Sequence, residues 1–154
     1  MIKTNFFKKG FTMMELIIGI AIIGILIAVI LPNFFGIREN QTLKNGLQDT
    51  LSAINKAKSQ TLSSLDSSEY GVHFESDSVI IFKGKIFSSE ASDNEVIQIF
   101  PPATISAVNL TGGAEDFYFN RLSGEPSAIG TITISNSSLS KTISILASGA
   151  VGLD

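Results

Sequence analysis

Lys8-Lys9-Gly10-Phe11-Thr12-Met13-Met14-Glu15 runs straight into sixteen uncharged residues, Leu16 to Leu31, and Pro32 closes the run. This stretch decides the fold, because it separates the part of the chain that meets lipid from the part that must fold in water. Phe11 to Leu31 is 21 residues. At 1.5 Å per residue a helix of that length spans about 31 Å, close to the hydrocarbon thickness of a bilayer. Twelve of these residues are large aliphatics. At roughly 0.5 kcal/mol each they favour insertion by about 6 kcal/mol, against about 3 kcal/mol or less for one acid near the edge. The segment inserts. Lys3, Lys8 and Lys9 precede it, and the positive-inside rule keeps that end in the cytoplasm. A cleaved secretory signal has an apolar region of about 7–15 residues that ends in an A-x-A-like site. Here the run is longer, and Val29-Ile30-Leu31-Pro32-Asn33-Phe34 offers no such site.

Glu15 is the residue that a plain anchor does not explain. An ionisable group in a spanning segment is costly and normally has a partner, and nothing else within the run can pair with it. Ala21, Gly24 and Ala28 fall at i, i+3 and i+7 and so share one helix face, with Gly24 and Ala28 as a small-xxx-small pair that lets backbones approach closely. Pro32 lacks an N–H and clashes with the preceding turn, so it kinks the helix or marks its exit from the membrane.

Basic leader, glycine, phenylalanine, glutamate spacing and apolar length together resemble the type IV prepilin signature. The resemblance implies that residues 1–10 are a leader cut after Gly10 by a prepilin peptidase that also methylates the new N-terminus, Phe11. It implies that Glu15 meets that amine on a neighbouring subunit as a fibre assembles. The expected partners are therefore the membrane, the peptidase/methyltransferase, other pilin or pseudopilin subunits and an assembly platform. The expected location is the inner membrane, single-pass, with the head extracytoplasmic, followed by a pilus or pseudopilus filament. Two other classes stay open: a fibre-borne binding module for DNA or a surface, and an anchored extracytoplasmic domain that never assembles.

Outside the leader and the span, about 120 residues remain, enough for one small domain. There are no cysteines, so that domain folds without disulfides, metal thiolates or a cysteine nucleophile. From Asp66 to Asp154 four basic residues stand against eleven acids, a balance near −7. That charge opposes a phosphate backbone and makes nucleic acid an unfavoured partner.

After Pro32 the periodicity stays helical and becomes amphipathic. Leu43, Leu47, Leu51 and Ile54 step by 4, 4 and 3, with Ala57 following. Gly46 weakens this helix by roughly 1 kcal/mol relative to alanine. The helix should fade in Ser59–Ser68, where serines cluster. From Tyr70 the pattern becomes β: Tyr70–Phe74, Ser78–Phe82, Glu95–Phe100, Thr104–Leu110, Glu115–Asn120, Ile129–Ser135 and Lys141–Ala147 are rich in β-branched and aromatic residues. Turn residues such as Lys83-Gly84, Pro101-Pro102, Gly112-Gly113 and Asn136-Ser137-Ser138 separate them. Thr131-Ile132-Thr133-Ile134 alternates as a half-buried antiparallel strand does. The expected fold is α+β, with a long N-terminal helix packed on a C-terminal antiparallel sheet or sandwich. Its segments are a leader (1–10), a transmembrane assembly helix (11–32), an amphipathic continuation (33–65) and a β-rich head (66–154). Tyr70-Gly71-Val72-His73-Phe74 with Ser78–Phe82, the later Phe117–Gly124, and a terminal hairpin ending Ser148-Gly149-Ala150-Val151 resemble the GspH/FimT class of minor pseudopilins and pilins.

No catalytic constellation emerges, so no enzymatic activity and no cofactor are expected. Ser138-Leu139-Ser140-Lys141 and Ser92-Asp93-Asn94 match two penicillin-recognising motifs, but in reversed order and without the glycine of the third. His73 is the single histidine, so a histidine metal cage is excluded. Glu75/Asp77 and Asp93/Glu95 lack EF-hand spacing, and solvated turns are the simpler reading.

Overall fold

The structure, a computed structural model, describes residues 10–153, apart from the side chains of 31–37. Helix α1 covers Met13–Leu62, and the chain divides into two units, 1–37 and 38–154. In the first unit the window Met13–Ile30 has mean hydropathy 2.8 and none of it is buried. Its leucines and isoleucines are exposed among the described residues. The kink expected at Pro32 lies outside the described residues.

The second unit combines residues 38–62 of α1 with two antiparallel sheets of four strands, which makes the fold α+β as expected. The strands are β1 (Tyr70–Phe74), β2 (Ser78–Lys83), β3 (Glu95–Gln98), β4 (Thr104–Leu110), β5 (Asp116–Tyr118), β6 (Gly130–Ser135), β7 (Ser140–Ile145) and β8 (Val151–Leu153). One sheet runs β3-β2-β1-β5 and the other β4-β6-β7-β8. Alternation sets the inward faces of the second sheet: Ile132, Ile134, Ile143 and Ile145 are buried while Thr131 and Thr133 are half-buried. Two expected strands are shorter by two residues or more than the sequence suggested, Glu95–Gln98 and Asp116–Tyr118. At their ends the backbone bonds leave the ladder or become isolated. Ile99 N–H reaches the Asp77 carbonyl, and Phe119, whose N–H donates to the Tyr70 carbonyl, meets Pro126 through an isolated bridge. After Gly149 the chain resumes as β8, with Ile145 opposite Val151.

The helix face against the sheets differs from the leucine stripe. Leu43 and Ile54 are buried, but Leu47 and Leu51 only flank the contact, and its centre is Gly46, Thr50, Ala53, Ala57 and Thr61. Small residues sit there because the sheets come close. A Cβ on Gly46 would stand 3.1 Å from Ile99 Cγ2 and 3.6 Å from Ala103 Cβ. The two threonines are satisfied locally, since Thr50 Oγ1 donates to the Gly46 carbonyl at 2.8 Å and Thr61 Oγ1 to the Ala57 carbonyl at 2.9 Å.

Strand β2 is buried from Ser78 to Phe82, so both of its faces are covered. On the outer face Phe82 lies across Gly71, and Phe87 from the following loop stacks on His73 with centroids 3.9 Å apart. Past the helix, Ser64, Asp66 and Ser67 all take positive φ, near 50°. Three side chains pin that backbone: Arg121 Nη1 donates to the Ser67 carbonyl, and Lys83 Nζ and the Tyr70 hydroxyl donate to Asp66 Oδ2.

Candidate functional site

The candidate site is the start of α1. The helix begins at Met13, one residue after Thr12. Thr12 Oγ1 accepts the Glu15 N–H at 3.2 Å, and the Thr12 carbonyl accepts the Leu16 N–H at 3.2 Å. Thr12 is therefore the N-cap, satisfying a donor that the first helical turn leaves unpaired. Thr12-Met13-Met14-Glu15 has the spacing of a capping box. That signal is legible in the sequence, in which the same Glu15 also stands as a charge at the edge of the apolar run. Glu15 also lies in the first turn, where the positive end of the helix dipole favours a carboxylate.

Gly10, Phe11, Thr12 and Glu15 line one open hollow. The structure thus brings together the residues expected at the cut, at the methylated terminus and at the assembly contact. Phe11 is 83% exposed. A Cβ on Gly10 would meet nothing within 4 Å, so nothing in the described part of this chain demands glycine at that position.

Ala21, Gly24 and Ala28 are exposed, and a Cβ on Gly24 would likewise meet nothing within 4 Å. The fold does not pack this small-residue face against any described segment. Such a face is built for another helix or for lipid.

In the head, His73 Nδ1 stands 3.8 Å from Asp116 Oδ2 and has no hydrogen-bond partner, while its ring is held by Phe87. Among the described residues no group of three or more histidine or carboxylate side chains could hold a metal. The Ser138 hydroxyl donates to Glu39 Oε2 at 3.2 Å, so it ties a turn to the helix.

Geometry at the helix start defines a class: an apolar, unburied membrane-length helix, capped at its N-terminus, directly behind an accessible Gly-Phe bond. Residues 6–31 match the family model of the prokaryotic N-terminal methylation motif, the signal of type IV pilins and pseudopilins. The match ends where the apolar run ends. No curated protein and no solved structure matches this chain.

Proposed function

We propose that the chain is a minor pilin or pseudopilin subunit of a type IV pilus or type II secretion pseudopilus, and that its role is structural rather than enzymatic. A prepilin peptidase cuts after Gly10 and methylates Phe11, and an assembly platform draws the subunit from the inner membrane into a filament. The observation that carries this reading is the methylation motif over residues 6–31, leading a helix whose apolar window is wholly unburied. Burial of that surface among neighbouring helices removes it from lipid and water alike, and a neighbour's terminal amine gives Glu15 the partner that a membrane charge requires. The acidic balance of the head speaks against a DNA receptor.

The open surroundings of Gly10 make the test selective. A Cβ there meets nothing in the described chain, so the effect of valine is expected in the peptidase, where a branched side chain would fill the space kept for glycine. Gly10→Val should leave the precursor inserted and uncut. Intact mass spectrometry of the membrane fraction reads this directly. A wild-type mature protein that begins anywhere other than Phe11 overturns the proposal.

A further inference from the structure

Eight basic side chains lie from Arg38 onward, and five have partners. Lys56 pairs with Glu95, Lys83 with Asp66 and Lys85 with Glu69, while Lys58 and Arg121 donate to the Gly149 and Ser67 carbonyls. Among the described residues the side chains of Arg38, Lys44 and Lys141 have none, and all three residues are exposed. The two lysines share one place. They line a hollow of about 240 Å³ together with Asn40, Leu43, Leu47 and Leu139, and its wall is almost wholly apolar.

This hollow is held open by the fold. Helix α1 supplies one side, and the turn between β6 and β7 supplies the other. That turn is fastened to Glu39: Asn136 Nδ2 donates to the Glu39 carbonyl at 3.0 Å, and the Ser137 and Ser138 hydroxyls donate to Glu39 Oε2 at 3.0 and 3.2 Å. Glu39 is therefore engaged by the turn. Leu139, at the end of the turn, stays 52% exposed. The hollow has the liquid volume of roughly eight waters. Its wall offers them almost no hydrogen-bond partners, so hydrocarbon is the better occupant.

We propose that this hollow binds an acyl chain of an anionic phospholipid, with Lys44 and Lys141 on the lipid phosphate. The apolar wall selects the tail and the two unpartnered ammonium groups select the headgroup. Chain length supplies the source. Asn40 lies nine residues along the chain from Leu31, and at an extended maximum of about 3.5 Å per residue the chain cannot carry the hollow's Asn40 more than roughly 30 Å from the end of the span. The inference rests on the reading of residues 11–31 as a membrane anchor.

The full chain, methyl-labelled, is placed in nanodiscs of phosphatidylcholine alone or mixed with phosphatidylglycerol. Methyl resonances of Leu43, Leu47 and Leu139 should shift only in the mixed discs. Native mass spectrometry of the released protein should count retained phosphatidylglycerol. Lys44→Gln with Lys141→Gln should lower the preference for that lipid about thirtyfold and each single change about fivefold, while the Ile132 and Ile143 methyls stay in place to show that the head is folded. Glycerol 3-phosphate in solution should shift nothing. Equal shifts in both discs, retention unchanged in the double variant, or the same shifts with glycerol 3-phosphate would each overturn the proposal. Shifts that follow the number of chains per disc rather than phosphatidylglycerol would do so in favour of a second copy. Failure to enter either disc would overturn the anchor reading first, and this inference with it.

Discussion

Thr61→Val tests the join between α1 and the first strand. Thr61 is fully buried, and its hydroxyl accepts the Tyr70 N–H at 2.9 Å. The same hydroxyl donates to the Ala57 carbonyl at 2.9 Å. Valine keeps the shape and the β-branch but removes the hydroxyl, so helix propensity is nearly unchanged. The Ala57 carbonyl keeps its helical N–H and loses little. Tyr70 N–H is left buried without an acceptor, which costs about 1–3 kcal/mol. Taking about 2 kcal/mol, the head should melt roughly 6–12 °C lower. Unfolding of the full chain in detergent micelles can be followed by tyrosine fluorescence, since the chain has two tyrosines and no tryptophan. Amide exchange at Tyr70 should accelerate in the valine variant. Thr61→Ser keeps the hydroxyl and drops one methyl, so it should cost about 1 kcal/mol and leave that amide protected. A valine variant within about 0.5 kcal/mol of wild type, with Tyr70 still slow to exchange, would refute the reasoning.

Other perturbations probe other parts of the chain. A Cβ on Gly71 would stand 2.3 Å from Phe82 Cζ and 2.6 Å from the Phe117 carbonyl oxygen, and the second contact is backbone that cannot yield. Gly71→Ala should therefore cost at least about 3 kcal/mol, the top of the usual overpacking range, and a loss under about 1 kcal/mol in the same unfolding assay would contradict so close an approach. Burial, and then the Asp66 carboxylate, raise the Tyr70 phenol above its ordinary 10.0, and the hydrogen bond to Asp66 raises the Lys83 ammonium above 10.5. Both groups hold their protons more tightly when folded, so their contribution is complete below about pH 10 and is lost as pH rises through the folded values. Melting curves should be flat to the edge of that window and then fall, less steeply in Asp66→Asn; an equal fall in both proteins would remove Asp66 as a cause. Glu15→Ala should leave insertion and leader cleavage intact while incorporation into sheared filaments drops, because a neighbour's amine loses its partner. Normal incorporation would show that the carboxylate makes no such contact.

Much of this protein is written locally. The apolar window follows from its composition, and the methylation motif from residues that neighbour Gly10 in sequence, while Lys3, Lys8 and Lys9 carry the expected orientation. The change from helix to strands near Tyr70, and the turns between the strands, follow from residue types within a few positions of each other. Each of these depends on short-range sterics or on partition between water and lipid, and neither needs a distant segment. The T-x-x-E cap at Thr12 was equally local and could have been read in advance.

Tertiary structure decided what depends on distance of approach. Leu47 and Leu51 satisfy a helical stripe as well as Leu43 does, yet the sheets settle on Gly46, Thr50, Ala53 and Ala57 because only small side chains allow the backbones so near. Gly46, a weak point by propensity, is a point of contact. Strand order was equally hidden, because β6 and β7 pair across a turn of four residues while β1 pairs with β5 more than forty residues away, and apolar strands of similar composition can be matched in many ways. The same holds for charge. Sequence counts Lys44 and Lys141 like any other lysines, and they differ from the other head lysines only because the fold gives those partners and leaves these two beside one hollow. A group's surroundings are set by segments that composition does not bring together, and packing alone does.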